Sequence, residues 1–487
     1  MKIIKKIQHL FLMAGLLSQS FSCTSGFEEI NTDHNKMPVV PALSLLTPTI
    51  YYGHWAILNA NRTLFGQLMQ YSVQTNGFEA ISQYTIKDSS PTSLWTNLYR
   101  RLNDANEICL IAEQFDNEND LAIGLTIKSW LMANITDIWG DVPCSEALQA
   151  ANGNFQPKFD AQEDIYKQIF ADLDRANELF AQSTSSIDEK YDILYAGNKT
   201  RWRKFCNSLK IRLLLRVSNQ ASMNVPATIK EMLENPAKYP IFTRVDDGAT
   251  IAYTGALPFI NPFYDYKPNE FSGNYRMCSR LVNSMNITTD LRRSLYMTSI
   301  VGEYYGIDSG NNQEYILSAM DNGGRGVSRF HDNLQKATFK YGLLNYSELL
   351  FCLAEAAHKG WITDNPAGYH AEAVKASLVE WGSTASATAQ NAFVTRESVA
   401  YNGTLERIIE QKWISLYFVG MESWNDYRRT SLPVMPQGNA LDNNEILPTR
   451  LRYPAILQSI NAKNWKESAD KLGGDNMTSK VWWAKSN

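Results

Sequence analysis

Residues 410–430, EQKWISLYFVGMESWNDYRRT, decide the fold of this chain. Apolar residues recur there at the spacing of one face of an α-helix, and they continue a pattern that already includes Leu405 and Ile409. Trp413 and Trp424 are therefore predicted to belong to a buried core. The charged residues of the same stretch stand beside one another and predict an ion-paired scaffold: Glu422, Asp426, Arg428 and Arg429.

Helical periodicity extends along most of the chain. The segment Ile165–Phe180 has apolar residues on one helix face, and residues 121–139 are apolar nearly all round, which indicates a buried helix that Gly140 ends. Asn345 and Glu348 have the spacing of a capping box at the start of another helix. Strand-like alternation is sparse. We therefore predict a mainly α fold of antiparallel helix pairs with long irregular loops, although no clear 34-residue repeat establishes a tetratricopeptide array.

The composition is that of an ordinary globular protein. The chain has 487 residues, of which 44% are hydrophobic and 20% are charged, and its formal net charge is −4. Since no long basic run is present, nucleic acid is not an expected partner. The five cysteines other than Cys23 are odd in number and widely spaced. They do not predict a disulfide framework, so stability must come from the core.

The N-terminus predicts export and lipidation. Three lysines among the first six residues precede the short apolar run Leu10–Leu17, which is too short to span a bilayer and fits a secretory signal peptide. Cys23 then stands where a bacterial lipoprotein is cleaved and lipidated, although Ser20 occupies a place where leucine is usual. The alternative is an ordinary signal peptide with Cys23 free. We predict a signal peptide, a lipid-anchored tether and one large domain at residues 1–22, 23–40 and 41–487.

Two connections are too long to be simple turns. Residues 71–93 and 246–280 lack periodicity, and loops of this length in a compact domain are usually functional or disordered. Seven of the 23 residues from Tyr253 to Tyr275 are aromatic, whereas disordered segments are poor in aromatic residues. Rings that merely pin the loop to helices are the alternative explanation. We predict a ligand platform here, supported by the loop at 71–93, with these contacts: Tyr264, Tyr266, Phe271, Arg276, Phe78 and Tyr84.

Catalytic and metal motifs are missing from the sequence. There is no G-x-S-x-G elbow, no phosphate-binding loop and no H-E-x-x-H, and the six histidines do not have the spacing of metal ligands. We therefore expect no catalytic residue, no metal and no cofactor. A pair of carboxylates for glycoside hydrolysis needs only a suitable separation in space, so that reaction stays open.

Residues 410–430 also carry a family resemblance. Together with Pro433 and the block Arg450–Pro454, they resemble the SusD/RagB family of nutrient-binding outer-membrane lipoproteins. Trp139–Pro143 and Arg201–Ser218 resemble further blocks of that family, in the same order along the chain. The resemblance spans nearly all of the part that follows the signal peptide.

The resemblance implies one mostly α-helical, SusD-like domain with four tetratricopeptide-like helix pairs, whose loops carry the ligand site. It implies a lipid-anchored protein at the outer-membrane surface that binds a glycan without catalysis and delivers it to a SusC-like TonB-dependent transporter. Two alternatives stay open: the same scaffold binding oligopeptides, and a helical glycoside hydrolase on the cell surface. Because the family motifs identify the scaffold and not the variable loops, they assign no ligand contact.

Overall fold

Many of the helices expected from periodicity pack against the helix that follows them along the chain. The computed structural model describes residues 41–76, 80–267 and 269–485, and the described residues from Ala42 onward belong to one compact unit. Seventeen α-helices lie in the described part: α1 Leu46–Ala60, α2 Gly66–Leu68, α3 Ser90–Gln114, α4 Glu118–Trp139, α5 Gln162–Gln182, α6 Lys199–Arg216, α7 Val225–Glu234, α8 Ser279–Thr288, α9 Arg293–Tyr296, α10 Gln313–Asp321, α11 Tyr346–His358, α12 Pro366–Glu380, α13 Ala387–Val394, α14 Leu405–Ser415, α15 Glu422–Thr430, α16 Leu457–Ile460 and α17 Ala462–Lys471.

Helical hairpins form the two halves of the scaffold. In the first half, α3 packs on α4, α4 on α5 and α5 on α6, while α1 lies against α3. In the second half, α11 packs on α12 and α14, and α6 contacts α11, which joins the halves. The predicted mainly α fold with long irregular loops is therefore confirmed.

Local sequence explains the ends of the most buried helix, α4. The Asn117 side chain caps its start by accepting a hydrogen bond from the Asp120 backbone N–H at 3.2 Å. The helix ends at Trp139, and Gly140 follows with a positive φ of 87°. Nearly every residue of α4 is buried, as the apolar composition of residues 121–139 predicts.

Two small antiparallel sheets tie the long connections together. Strand β1, Ser72–Gln74, pairs with β3, Tyr275–Met277. Strand β2, Ala249–Thr250, pairs with β4, Gly342–Leu344. The first sheet therefore joins the two loops from which the sequence predicts a ligand platform.

Opposite charges meet inside the scaffold, between helices that are distant in sequence. Arg212 Nε lies 3.0 Å from Glu348 Oε1, and Arg429 Nη2 donates to Glu355 Oε2 at 2.7 Å. All these side chains are nearly inaccessible to water, which makes the pairing necessary because an isolated buried charge is very costly. The buried charge network consists of Asp137, Arg212, Arg216, Glu348, Glu355, Lys412, Glu422, Asp426 and Arg429.

The predicted ion-paired scaffold is confirmed for Glu422, Asp426 and Arg429 and is wrong for Arg428. The Arg428 guanidinium donates to the backbone carbonyl of Asp137 at 2.6 Å and lies 3.5 Å from the ring centroid of Trp424. Backbone oxygens and an aromatic face therefore hold this cation instead of a carboxylate.

The predicted capping box at Asn345 and Glu348 is also wrong. Asn345 precedes α11 without a hydrogen bond from its side chain to the helix start, and Glu348 turns inward to Arg212. A buried guanidinium binds this carboxylate more strongly than an exposed helix end would. Trp413 and Trp424, in contrast, are buried in the core as predicted.

Candidate functional site

The loop predicted to carry the ligand platform folds around an arginine of the scaffold. The Cζ atom of Arg62 lies 5.3 Å from the ring centroids of Tyr266 and Tyr275, 5.8 Å from that of Phe263 and 6.0 Å from that of Phe271. Cation–π attraction operates over such distances. These four rings and Arg62 form what we call the Arg62 cage. The cage uses much of the aromatic surface of the loop to fix the loop itself.

Two of the six predicted ligand contacts, Phe271 and Tyr84, are buried in the structure. Phe271 is 1% exposed within the Arg62 cage, and Tyr84 is 4% exposed. Burial raises the pKa of the Tyr84 hydroxyl to about 12. Both rings pack against other apolar side chains of the core and present no face to a ligand in this arrangement.

The other predicted contacts lie at different depths. Tyr264 is 49% exposed, and Tyr266 is half-buried in the cage. Arg276 is half-buried too, and it donates to the carbonyls of its own loop, including that of Gly273 at 2.8 Å. Phe78 lies outside the described residues. Of the six predicted contacts, Tyr264 thus has the ring most open to a ligand among those the structure describes.

An exposed aromatic face continues from the loop onto α1. The ring of Tyr52, which is 43% exposed, meets that of Tyr51 edge-on at 5.0 Å, and Tyr51 contacts Phe259 of the loop at 5.4 Å. The Arg101 guanidinium of α3 lies 5.6 Å from the Tyr52 ring centroid. Helix α1, which the sequence did not single out, therefore supplies aromatic surface beside the predicted loop.

A groove runs between α1 and the start of α3, with a cavity of about 260 Å³. Its volume is slightly below the roughly 300–1,000 Å³ usual for small-ligand sites, so it suits one or two rings of a small ligand. We call it the α1–α3 groove. Its lining comes from α1, the turn that follows α1, the short 3-10 helix Ile81–Gln83 and α3: Trp55, Ala56, Asn59, Ala60, Thr63, Leu64, Ile81, Ser90, Ser93, Leu94 and Asn97.

The Arg62 cage orients one polar group of the groove, the side-chain amide of Asn59. Arg62 Nη2 donates to Asn59 Oδ1 at 3.2 Å. Because a guanidinium can only donate, this contact fixes which amide atom of Asn59 is oxygen and leaves Nδ2 as the donor without a partner among the described residues. The side chains of Ser93 and Asn97 likewise have no hydrogen-bond partner in the described part of the chain. These groups can accept and donate toward a ligand.

The indole of Trp55 is the aromatic surface of the groove. Trp55 is half-buried, and its Nε1 is a buried donor without a partner in the described part of the protein. A half-buried indole offers one face for stacking. None of the side chains that line the groove titrates, so the groove has the chemistry of a binding site and holds no acid–base pair.

Residues of the stretch 410–430 hold α1 in place beneath the groove. A π-helical turn, Asn61–Phe65, follows α1, and the Asn61 amide donates to the carbonyl of Gly420. A Cβ at Gly420, whose φ is +52°, would lie 2.8 Å from Ile57 Cγ2, so the close approach requires glycine. The stretch that decides the fold therefore positions the groove without lining it.

Sequence reasoning missed Trp55 and Asn59. Both belong to a helix whose apolar residues are spaced like those of any core helix, and the groove forms only when α3 packs beside it. Among the described residues, no group of three or more His, Cys, Asp and Glu side chains is placed to hold a metal ion. Nor does any described helix combine the length and apolar character needed to cross a membrane.

Comparison with known proteins places this architecture in a family. The SusD-like family, described as starch-binding and associating with the outer membrane, matches residues 34–454. The chain therefore belongs to the SusD-like family, which confirms the SusD/RagB resemblance. Among curated proteins, no sequence matches it.

Solved structures share the fold over nearly the whole chain. A chitin-binding protein is 25% identical with a TM-score of 0.78, over 91% of this chain and 99% of that one. A SusD homologue from Bacteroides uniformis is 26% identical with a TM-score of 0.77, over 91% and 98% of the two chains. A SusD homologue from Bacteroides fragilis is 22% identical with a TM-score of 0.78, over 92% and 100%.

Proposed function

We propose that this protein captures a glycan at the surface of the outer membrane and delivers it to a SusC-like TonB-dependent transporter, without catalysis. The observation that carries this proposal is the α1–α3 groove, which combines a half-buried indole with free amide and hydroxyl groups. The description of the family as starch-binding and the chitin-binding function of one structural neighbour support a glycan as the ligand.

The groove matches the chemistry of a sugar ring. Sugars have a flat face of C–H groups that stacks on tryptophan, and a rim of hydroxyls that exchange hydrogen bonds with amides. Trp55 supplies the face, and Asn59 and Asn97 supply the amides on opposite walls. The Arg62 cage holds Asn59 in one orientation before binding, which lowers the entropy lost when a ligand is fixed.

The same lining argues against glycoside hydrolysis in the groove. Hydrolysis of a glycosidic bond uses two carboxyl groups on either side of the bond. The groove is lined by Trp, Asn, Thr, Ser and apolar residues alone, so it supplies neither an acid nor a nucleophile.

Calorimetric titration of chitin oligosaccharides, starch oligosaccharides and a peptide panel tests the site. We expect a glycan to bind, and Trp55→Ala to weaken it by about 1–3 kcal/mol because the stacking face is lost. Asn59→Ala should cost about 1 kcal/mol through one hydrogen bond. Trp361→Ala is the matched control, since Trp361 is also half-buried and lies outside the groove.

Two results would change the proposal in different ways. If peptides bind and glycans do not, the ligand class is wrong. If a glycan binds Trp55→Ala and wild type equally, the groove is not its site, and the exposed rings of Tyr52 and Tyr264 become the next candidates. Product release from a bound glycan during long incubation would contradict the proposed absence of catalysis.

Delivery to a transporter requires a stable contact between the two proteins. A specific interface of this kind buries more than about 1,000 Å² in total. We expect the protein to co-purify in mild detergent with a TonB-dependent barrel encoded by a neighbouring gene. Recovery of the protein alone, while the barrel is expressed and folded, would contradict this partnership.

Attachment to the membrane is proposed through Cys23, which lies outside the described residues. A single acyl chain gives only marginal membrane binding, so we expect several chains on this residue. Cys23→Ala should release the protein from the membrane fraction or block its maturation. Full membrane retention with an unmodified N-terminus would show that the anchor is elsewhere.

A further inference from the structure

A second cavity, of about 560 Å³, lies where α6, β4 and the end of α12 meet. We call it the cationic cavity. It shares no lining residue with the α1–α3 groove. Its lining includes three cations, the half-buried acid Glu380 and several aromatic rings, among them Arg201, Arg244, Lys340, Phe339 and Trp381.

The cations of this cavity are poorly neutralised. Arg201 donates to the backbone carbonyl of Asp246 and lies 4.4 Å from the ring centroid of Tyr195, and no carboxylate pairs with it in the described residues. Lys340 is exposed, and neither a hydrogen bond nor an ion pair engages its ammonium group within the described part of the chain.

Within the described residues, Arg244 forms one long ion pair. Its Nε lies 3.7 Å from Asp247, whose carboxylate already accepts from Lys204 at 2.7 Å. The Arg244 side chain is 69% exposed, so its guanidinium can turn toward a ligand. Among the lining side chains, three cations face two acids, one of which is the exposed Asp246.

The other lining acid, Glu380, is already engaged. Its carboxylate accepts from the Ser347 backbone N–H at 2.9 Å and from the Ser347 hydroxyl at 2.5 Å. Burial raises the pKa of Glu380 to about 7, so at neutral pH it carries only part of a negative charge. The cavity therefore has an excess of positive charge.

An aromatic wall stands beside these charges. The half-buried ring of Trp381 is fixed by Tyr296 at 4.3 Å and by Phe339 at 5.6 Å between centroids. A fixed indole next to incompletely neutralised cations suits a ligand with both an apolar ring face and an anionic group.

We propose that the cationic cavity binds the carboxylate-bearing ring of an acidic saccharide, a uronate, with Trp381 under the ring and Lys340 and Arg244 on the carboxylate. This site goes beyond the proposed function and rests on it only in taking a saccharide as the ligand. A glycan with both neutral and acidic units would then occupy the groove and the cavity by different chemistry.

Titration of the full-length protein with three probes tests the proposal: a galacturonate trisaccharide, a sulfated disaccharide and neutral galactotriose. We expect the galacturonate to bind, more weakly at 0.5 M than at 0.05 M salt because screening weakens exposed charges. The double variant K340A/R244A should lower its affinity about tenfold or more, on the scale of one charged hydrogen bond. Trp381→Ala should also weaken it.

Controls separate this site from the groove. Lys336→Ala removes an exposed cation of the same connection outside the cavity and should leave galacturonate binding unchanged. Trp55→Ala should likewise leave galacturonate binding unchanged, even though that variant binds neutral glycans more weakly. The proposal is overturned if galacturonate fails to bind, if K340A/R244A binds it like wild type, or if only the sulfated probe binds. Failure of neutral glycan binding alone would instead contradict the proposed function of the groove.

Discussion

The buried charge network and the α1–α3 groove differ in whether their polar side chains have partners within the described residues. In the network, Arg212, Arg429 and their neighbours each meet an opposite charge across helices that are distant in sequence. In the groove, the Asn59 Nδ2 donor and the side chain of Asn97 have no partner in the described part of the protein. Charged groups that are paired within the protein are typical of the scaffold. Polar groups without such partners, next to an indole, are typical of a surface that can bind a ligand.

This contrast explains why the sequence motifs identify the family and not the ligand. A buried guanidinium requires acceptors at defined distances, so the scaffold needs particular residue types at particular positions. A groove open to solvent has water as a substitute partner, so it accepts many side chains.

Arg429→Ala should lower the free energy of unfolding by about 3–5 kcal/mol, because it leaves Glu355 and Asp426 buried with too little positive charge. Chemical denaturation measures this loss. The matched control is Arg452→Ala, whose ion pair with Asp88 is exposed and should contribute less than about 1 kcal/mol. Equal losses in the two variants would show that the network does not hold the scaffold together.

Phe271→Ala should destabilise the protein by about 3 kcal/mol, because it opens a cavity in the Arg62 cage. Tyr264→Ala, in the same loop, should change stability by less than about 0.5 kcal/mol, because its ring is half exposed. Thermal denaturation of both variants distinguishes a ring that stabilises the Arg62 cage from a ring that is exposed to solvent. A stable Phe271→Ala variant with lost glycan binding would restore Phe271 as a ligand contact.

Glu380→Gln should stabilise the protein at pH 8 by about 2 kcal/mol and have little effect near pH 4.5. The raised pKa of Glu380, about 7, means that its neutral form is favoured in the folded state. Its contribution to stability is therefore fully present below the unfolded pKa near 4.5 and is lost as the pH rises through 7. Glu372→Gln is an exposed control on the same helix, and a matching pH dependence there would contradict the assignment.

Arg62→Lys should have the smallest effect, about 1 kcal/mol in stability and a few-fold loss of glycan affinity. Lysine keeps the charge inside the cage but lacks the planar fork that orients Asn59. Calorimetric titration of Arg62→Lys, Asn59→Ala and the variant with both changes measures the coupling between the two residues. The two losses of glycan affinity should not add. Full additivity would mean that the cage does not orient the groove.

The sequence predicted the fold class and the family correctly, whereas its site residues stay a prediction. The helical class, the buried α4, the buried Trp413 and Trp424, and the family follow from local spacing and motif, which depend on neighbours along the chain. The site prediction found a loop with one well-exposed ring, Tyr264. It also included the buried Phe271 and Tyr84, and it did not include Trp55 and Asn59.

From the sequence alone follow the mainly helical class, the ion pairing of Glu422, Asp426 and Arg429, and the family that the chain resembles. Only the tertiary structure decided which aromatic rings close around Arg62 and which remain at the surface. It also decided that α1 and α3 enclose a groove and that Arg201, Lys340 and Trp381 share a cavity. The physical reason is that periodicity reports a buried face, whereas a cavity arises where faces of sequence-distant elements fail to fill the space between them.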